Sequence, residues 1–145
     1  MLTDSPFYLV KLCTYDHEAL FGGVSDGHLQ LNEIGQIAAD EWRRSSHACQ
    51  GIELDTWLIF PNHLTGLVSI RATQQSNGYI DKSRKPRLLT SFIASYKTAA
   101  AKRINLQRNA PGSSVWQRSY QERLIPDIAV LGRVRQTLAK SSLIL

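Results

Sequence analysis

Two apolar segments separated by only three residues constrain the fold of this chain more than any other feature of its sequence. Residues 52–55 alternate between apolar and acidic side chains, and residues 56–60 and 64–70 are mostly apolar. Short apolar runs of this kind, the first of them ended by Pro61, are typical of strands that become buried on both faces. The two segments therefore predict a pair of adjacent strands joined by a tight turn at residues 61–63.

The first half of the chain adds a strand, a hairpin and a helix to this pair. Residues 7–14 are rich in aromatic and aliphatic side chains and predict a first strand. The pair Asp26-Gly27, which lies between short apolar segments, indicates a β-hairpin. Asn32 is a favourable N-cap, and apolar residues recur after it at helical spacing. We therefore expect a helix that runs from this cap to about Ser46.

The second half predicts two more helices and one short strand. Residues 73–86 are polar and basic, which favours an exposed connection within the domain. Apolar residues then recur at i, i+3, i+4 and i+7 from Leu89 to Ile104, as on one face of a long helix. Residues 121–125 are a candidate last strand, and Pro126-Asp127 indicates the start of a C-terminal helix. This order predicts an α+β sandwich in which helices flank one antiparallel sheet.

The size and composition of the chain predict a single domain, residues 1–145, with its own core. The apolar run near the N-terminus stops at Lys11, too early for a signal peptide or a membrane span, so the expected location is the cytoplasm. Cys13 and Cys49 form no Cys-x-x-Cys motif and are predicted to be buried, reduced thiols. Four aromatic side chains on apolar stripes are assigned to the core, namely Trp42, Trp57, Phe92 and Tyr96.

Charge is distributed unevenly along the sequence. Residues 1–60 carry three basic and nine acidic side chains, whereas residues 61–145 carry fourteen basic and three acidic ones. Clustered lysine and arginine residues gain affinity for nucleic acids because they displace counterions from the phosphate backbone. A solvated basic surface without a partner would produce the same asymmetry. Charge alone leaves both interpretations open.

The turn at residues 61–63, with the sequence Pro-Asn-His, is the most chemically suggestive segment. It belongs to a series of motifs that follow one another in a single order at compatible spacings and span nearly the whole chain. In these motifs the sequence resembles the REP-associated tyrosine transposases, members of the HUH superfamily. The matching segments are 20–22, 31–35, 41–45, 52–55, 61–63, 91–92, 96–97, 102–105, 111–112 and 115–120.

The resemblance implies a ferredoxin-like sandwich that binds single-stranded or hairpin DNA and cleaves it through a covalent phosphotyrosine. Family members carry His-hydrophobe-His after the Pro-Asn pair. Strand alternation places both imidazoles on one face, where they hold a divalent metal such as Mg²⁺ or Mn²⁺. A tyrosine on the C-terminal helix attacks the phosphorus, and a polar ligand one turn further along helps to hold the metal. Related transposases often act as dimers, so a homodimer is a further expectation.

This chain departs from the family pattern at the positions that carry the chemistry. His63 matches the first histidine, but Thr65, whose hydroxyl is a weak ligand, replaces the second. Thr137 stands at the tyrosine position, and Ser141 stands where the downstream polar ligand is expected. His63 also has a purely structural interpretation, as a turn residue satisfied by backbone hydrogen bonds. The set of nucleophile and metal ligands is incomplete, and impaired cleavage is expected.

Three functional interpretations follow from these observations. An enzyme would need Thr137 or another group as nucleophile, and an alkyl hydroxyl without an adjacent base is poorly activated. A DNA-binding module would need only a basic face and aromatic side chains for stacking. A decaying transposase copy would need neither. The basic face is predicted to contain Lys97, Lys102, Arg103, Arg118, Arg123, Arg133 and Arg135, with Trp116 and Tyr120 placed for stacking.

Overall fold

The computed structural model describes residues 5–71 and 87–143, which form six strands and three α-helices. The predicted exposed connection at residues 73–86 lies outside the described residues. The elements in chain order are β1 (Phe7–Cys13), a short 3-10 turn (Tyr15–His17), β2 (Gly22–Ser25), β3 (His28–Leu31), α1 (Glu33–Ala48), β4 (Ile52–Phe60), β5 (His63–Ile70), α2 (Arg87–Gln107), β6 (Gln121–Leu124) and α3 (Ile128–Leu143).

Four of the strands form one sheet in the order β4-β5-β1-β6, and each neighbouring pair is antiparallel. Apart from the β2–β3 hairpin, the chain runs strand, helix, strand, strand, helix, strand, which is the ferredoxin-like order. The predicted α+β fold with one main antiparallel sheet is therefore confirmed. The hairpin forms a separate two-stranded sheet, and α3 follows the last strand as an additional helix.

Helices α1 and α2 bury the main core against one face of the sheet. The ring of Trp42 on α1 lies 5.1 Å from that of Phe92 and 4.9 Å from that of Tyr96, both on α2. The Tyr96 hydroxyl donates a hydrogen bond to the carbonyl of Ala38 at 2.9 Å, so α1 and α2 are joined by a polar contact inside the core. These three aromatic side chains are buried as predicted, whereas Trp57 on β4 is only partly buried.

Helix α3 covers part of the opposite face of the sheet, which we call the α3 face. Leu131 of α3 packs with Leu67 of β5 and with Ile125, which follows β6. The guanidinium of Arg135 donates two hydrogen bonds to the carboxylate of Asp55 on β4, at 2.9 and 2.7 Å. The half-buried members of this second cluster are Phe7, Leu9, Val130 and Val134. The α3 helix is thus held by a small apolar cluster and one bidentate ion pair.

Local signals in the sequence place several element ends correctly. The Asn32 side chain accepts a hydrogen bond from the amide of Gly35 at 2.8 Å and caps α1, as predicted. Asp26 and Gly27 have φ angles of 54° and 75°, the positive values that a two-residue type I′ hairpin turn requires. The Asp127 carboxylate accepts a hydrogen bond from the backbone amide three residues later, at the start of α3.

A few details differ from the prediction. Strand β5 begins at His63, one residue earlier than expected, because His63 already pairs with Phe60 and Cys13. The 3-10 turn at Tyr15–His17 was not predicted by the apolar pattern. Cys13 and Cys49 are free thiols, but both are half-buried instead of fully buried. No helix within residues 5–71 and 87–143 is long and apolar enough to cross a membrane.

Candidate functional site

The α3 face of the sheet carries polar side chains at its end beside the β4–β5 turn. Leu9 of β1 and Leu67 of β5 pack in the cluster under α3. Because side chains alternate along a strand, Lys11, Thr65 and His63 point to this same face, further toward the turn. Lys11 is exposed, and the other two are half-buried. Lys11 is therefore the most accessible side chain of the three.

The strand register arranges this end into two rows of side chains. One row crosses all four strands and consists of Gln121, Lys11, Thr65 and Leu58. The next row, nearer to the turn, consists of Cys13, His63 and Phe60. We refer to the polar members of these rows, Lys11, Cys13, His63, Thr65 and Gln121, as the open end of the α3 face.

His63 is held in one orientation by its neighbours. Its Nδ1 lies 2.8 Å from Oδ1 of Asn62, and since an amide oxygen only accepts, Nδ1 carries the proton. Its ring stacks on Phe60 with centroids 4.5 Å apart and an interplanar angle of 13°. Burial and the nearby charge of Lys11 lower the pKa of His63 from 6.5 to about 4. The imidazole is therefore neutral at physiological pH, with the lone pair on Nε2.

The three hydroxyl groups at the remaining family positions are engaged with the backbone. Thr65 Oγ1 on β5 donates a hydrogen bond to the carbonyl of Val10 on β1 at 3.1 Å. On α3, Thr137 Oγ1 donates to the Arg133 carbonyl and Ser141 Oγ donates to the Thr137 carbonyl, each at 2.9 Å. Hydroxyls that donate to the preceding helical turn are common and need no functional partner.

These residues do not fit a divalent metal centre of the family type. Mg²⁺ and Mn²⁺ prefer several oxygen ligands, carboxylates above all, whereas the open end offers one imidazole and no carboxylate. Within residues 5–71 and 87–143, no three His, Cys, Asp or Glu side chains are close enough to hold a metal ion. The ammonium group of Lys11 would also repel a divalent cation bound to His63.

Three cations of the predicted basic face are committed to contacts within the protein. The Lys97 ammonium donates a hydrogen bond to the carbonyl of Gln117 at 2.7 Å, and burial lowers the pKa of Lys97. The Arg103 guanidinium on α2 donates to the carboxylates of Asp40 and Glu41 on α1, at 2.8 and 3.0 Å. Arg135 is held by the bidentate pair described above. These three side chains therefore stabilise the fold, and they are less available to bind a phosphate than an unpaired cation would be.

The two aromatic side chains predicted to stack on bases lie against the main core. The Trp116 ring is 5.4 Å from Phe21 and 5.6 Å from Tyr96. The Tyr120 hydroxyl donates to the carboxylate of Glu122 at 2.8 Å, and burial together with this bond raises the pKa of Tyr120 to about 12. Both rings are partly covered by protein, and a phenol with so high a pKa is poorly suited to act as a nucleophile.

The other four cations of the predicted face are exposed and have no ion pair within the described residues: Lys102, Arg118, Arg123 and Arg133. Arg123 on β6 pairs in register with Leu9 of β1, which places its side chain on the α3 face. Arg133 lies on α3 itself, whereas Lys102 lies on α2, on the other side of the sheet. The structure therefore divides the predicted basic face between the two sides of the sheet.

Comparisons with known proteins place this geometry in a structural class. No protein-family model matches the chain. The structure of a protein assigned as a transposase from Deinococcus radiodurans R1 is similar over 97% of this chain and 93% of that one, with a TM-score of 0.58 and 16% identity. A REP-associated tyrosine transposase bound to a REP hairpin is similar over 92% of this chain, with a TM-score of 0.55 and 11% identity. This chain has a transposase-like fold.

The sequence identity to these proteins is low, and the alignments cover only part of some of them. This chain spans 64% of the REP-associated transposase, so part of that protein has no counterpart in the alignment. An uncharacterized protein from Haemophilus influenzae is 26% identical over 135 residues, which cover 83% of this chain and 71% of that protein. At these identities the comparisons establish the transposase-like fold, and the activity has to be argued from this chain's own residues.

Neither Lys11 nor Gln121 was among the site residues predicted from the sequence. Lys11 is the one charged side chain in the otherwise apolar segment Phe7–Cys13. The signal available in the sequence was a lysine at the centre of an apolar strand. Lysine is almost never buried without a partner, so this position of the strand is expected to face solvent or a ligand. Gln121 gave no comparable signal, since only the antiparallel pairing of β6 with β1 brings it next to Lys11.

We expect His63 to titrate near pH 4 in the folded protein. Its pKa is lowered from 6.5 to about 4, so between these values the unfolded chain binds a proton that the folded chain does not. Folding stability should therefore decrease as the pH falls from 6.5 toward 4. NMR titration of the imidazole would measure this pKa, and His63→Gln should flatten that part of the stability profile. A pKa near 6.5 in the folded protein would contradict the prediction.

Proposed function

We propose that this protein is a transposase-family DNA-binding protein whose strand-cleaving chemistry is impaired. The observation that carries the proposal is the exposure, on the α3 face, of cations that have no ion pair among residues 5–71 and 87–143, in a fold shared with a transposase that was solved bound to a REP hairpin. The proposed ligand is single-stranded or hairpin DNA. A homodimer and a cytoplasmic location remain predictions.

The distribution of free and paired cations supports binding through the phosphate backbone. Arg118, Arg123 and Arg133 are exposed and have no ion pair among the described residues, so they remain available to phosphates. In contrast, Arg44 pairs with Asp40, and Arg71 pairs with Glu53. Phosphate contacts provide most of the affinity of sequence-independent DNA binding.

The hydroxyl at the tyrosine position supports impaired cleavage. Thr137 Oγ1 donates its hydrogen bond to the carbonyl of Arg133, and in the part of the chain that the structure describes no side-chain base contacts this hydroxyl. An alkyl hydroxyl has a far higher pKa than a phenol and needs such a base to attack phosphorus. The open end also lacks the second imidazole that would hold a metal against the scissile phosphate. Binding requires neither group, so it survives both losses.

The proposal predicts DNA binding that weakens steeply with salt. The triple variant in which glutamine replaces Arg118, Arg123 and Arg133 should bind a labelled DNA hairpin more weakly. The slope of log K against log salt should become shallower by about 2, because fewer phosphate contacts mean that fewer counterions are released on binding. Fluorescence anisotropy at several salt concentrations would measure both quantities.

The matched control is Arg43→Gln, Arg44→Gln and Arg71→Gln, which removes the same charge from α1 and from the residue after β5. This control should leave most of the affinity intact. Equal losses in the two triple variants would show that net charge, and not the proposed surface, determines binding. Absence of binding by the native protein at low salt would overturn the proposed function altogether.

A further inference from the structure

We propose that the open end of the α3 face binds phosphate without a metal ion. In this site the ammonium group of Lys11 supplies the positive charge that a divalent metal supplies in the family. This inference rests on the proposed function, because the phosphate it assigns is that of a DNA backbone.

The position of Lys11 is the first argument. It lies in β1, an interior strand of the sheet, with Thr65 of β5 on one side and Gln121 of β6 on the other. The other β1 side chains on this face are Phe7, Leu9 and Cys13, so Lys11 is the only charge of β1 there. Its side chain is exposed and has no ion pair among the described residues.

The charges that face Lys11 provide the second argument. Two carboxylates on the strands of this sheet are engaged within the protein: Asp55 on β4 pairs with Arg135, and Glu122 on β6 accepts the hydrogen bond of Tyr120. Arg123 lies on the same face, one row from Gln121 along β6. Lys11 and Arg123 are thus two cations of this face without an ion pair among the described residues, and positive charge attracts an anion and repels a metal ion.

The donor chemistry agrees with a phosphodiester ligand. An ammonium group offers three hydrogen-bond donors, and the Gln121 amide offers two more beside it. Lysine binds phosphate as a point charge, without the fixed geometry of a metal centre. These two donor groups are neighbours because Lys11 pairs in register with Gln121.

Binding of a DNA hairpin with and without EDTA tests the inference. The native protein should bind equally well in EDTA, in Mg²⁺ at matched ionic strength and in Mn²⁺. Lys11→Gln should weaken binding about tenfold, as expected for the loss of a charged hydrogen bond, and should reduce the salt slope by about 0.7 for a single-stranded contact. Lys11→Arg keeps the charge and should retain most of the affinity.

The control is Lys102→Gln, which removes an exposed lysine from α2 on the other side of the sheet. Equal effects of Lys11→Gln and Lys102→Gln, or loss of native binding in EDTA, would overturn the inference while leaving the proposed function intact. Absence of native binding under all conditions would instead refute the proposed function.

A measurement on the native protein keeps the test independent of variant folding. Titration with inorganic phosphate in EDTA should shift the amide NMR signals of Lys11, Thr65 and Gln121 more than that of Lys102. Uniform small shifts across the surface would overturn the assignment of the site.

Discussion

No covalent protein–DNA product is expected when the native chain is incubated with a labelled DNA hairpin and Mn²⁺. Thr137 is the residue at the tyrosine position, and its hydroxyl donates to the Arg133 carbonyl. His63 is the sole imidazole of the open end, and Lys11 opposes a metal beside it. Denaturing gels would show an adduct as a protein-linked band, and such a band from the native chain would refute impaired cleavage.

Cleavage should return only when the whole catalytic set is rebuilt. Thr137→Tyr restores the nucleophile, Thr65→His adds an imidazole on the same strand face as His63, and Ser141→Asn adds a carbonyl ligand one helical turn beyond the tyrosine. The structure adds a fourth change, Lys11→Ser, because Lys11 pairs in register with Thr65 and its charge would oppose the metal.

Each single substitution should give no detectable adduct, because residues that act as one catalytic unit are strongly non-additive. The combined variant without Lys11→Ser is the matched control, and it should yield less adduct than the fourfold variant. If the fourfold variant folds and binds DNA but forms no adduct, the placement of the family tyrosine at position 137 is wrong.

Loss of the Leu131 side chain should destabilise the protein by about 2–5 kcal/mol, the usual cost of a buried leucine-to-alanine change. Leu131 is 4% exposed and packs with Leu67 and Ile125 between α3 and the sheet. This cluster is small, so its remaining members cannot compensate for the cavity. Urea unfolding, followed by circular dichroism, would measure the free energy of unfolding of Leu131→Ala.

Gly132, the residue after Leu131, provides a control substitution that is expected to raise the free energy of unfolding. Gly132 lies in the interior of α3, is exposed, and an added Cβ would meet no atom within 4 Å. Gly132→Ala should therefore stabilise the protein by about 0.5–1 kcal/mol, since alanine loses less backbone entropy in a helix. A neutral or stabilising Leu131→Ala would show that α3 does not depend on this cluster.

Local sequence signals were sufficient for most of the secondary structure. The Asn32 cap, the Asp26-Gly27 turn and the apolar segments around Pro61 each act over a few residues, so their effect is readable without the rest of the chain. The order of the elements then limits the possible packing, and the α+β sandwich was predicted correctly. The 3-10 turn at Tyr15–His17 had no periodic apolar signal and was missed.

The candidate site was only partly accessible to such reasoning. Alternation along β5 correctly places His63 and Thr65 on one face. The state of the basic residues was not predictable, because Arg103 finds its carboxylate partners more than 60 residues away, at Asp40 and Glu41. A count of charges along the sequence does not distinguish such a paired cation from Arg123, which is exposed and has no ion pair among the described residues.

The sequence by itself determined where strands and helices form and which chemical groups this chain has available, because backbone propensities, caps and apolar periodicity are local properties. Only the tertiary structure decided which cations enter ion pairs and which polar groups lie side by side. Lys11, Thr65 and Gln121 come together through antiparallel pairing between β5, β1 and β6, three strands that are far apart in the chain. Their proximity follows from strand order and register, which depend on the packing of the whole sheet against its helices.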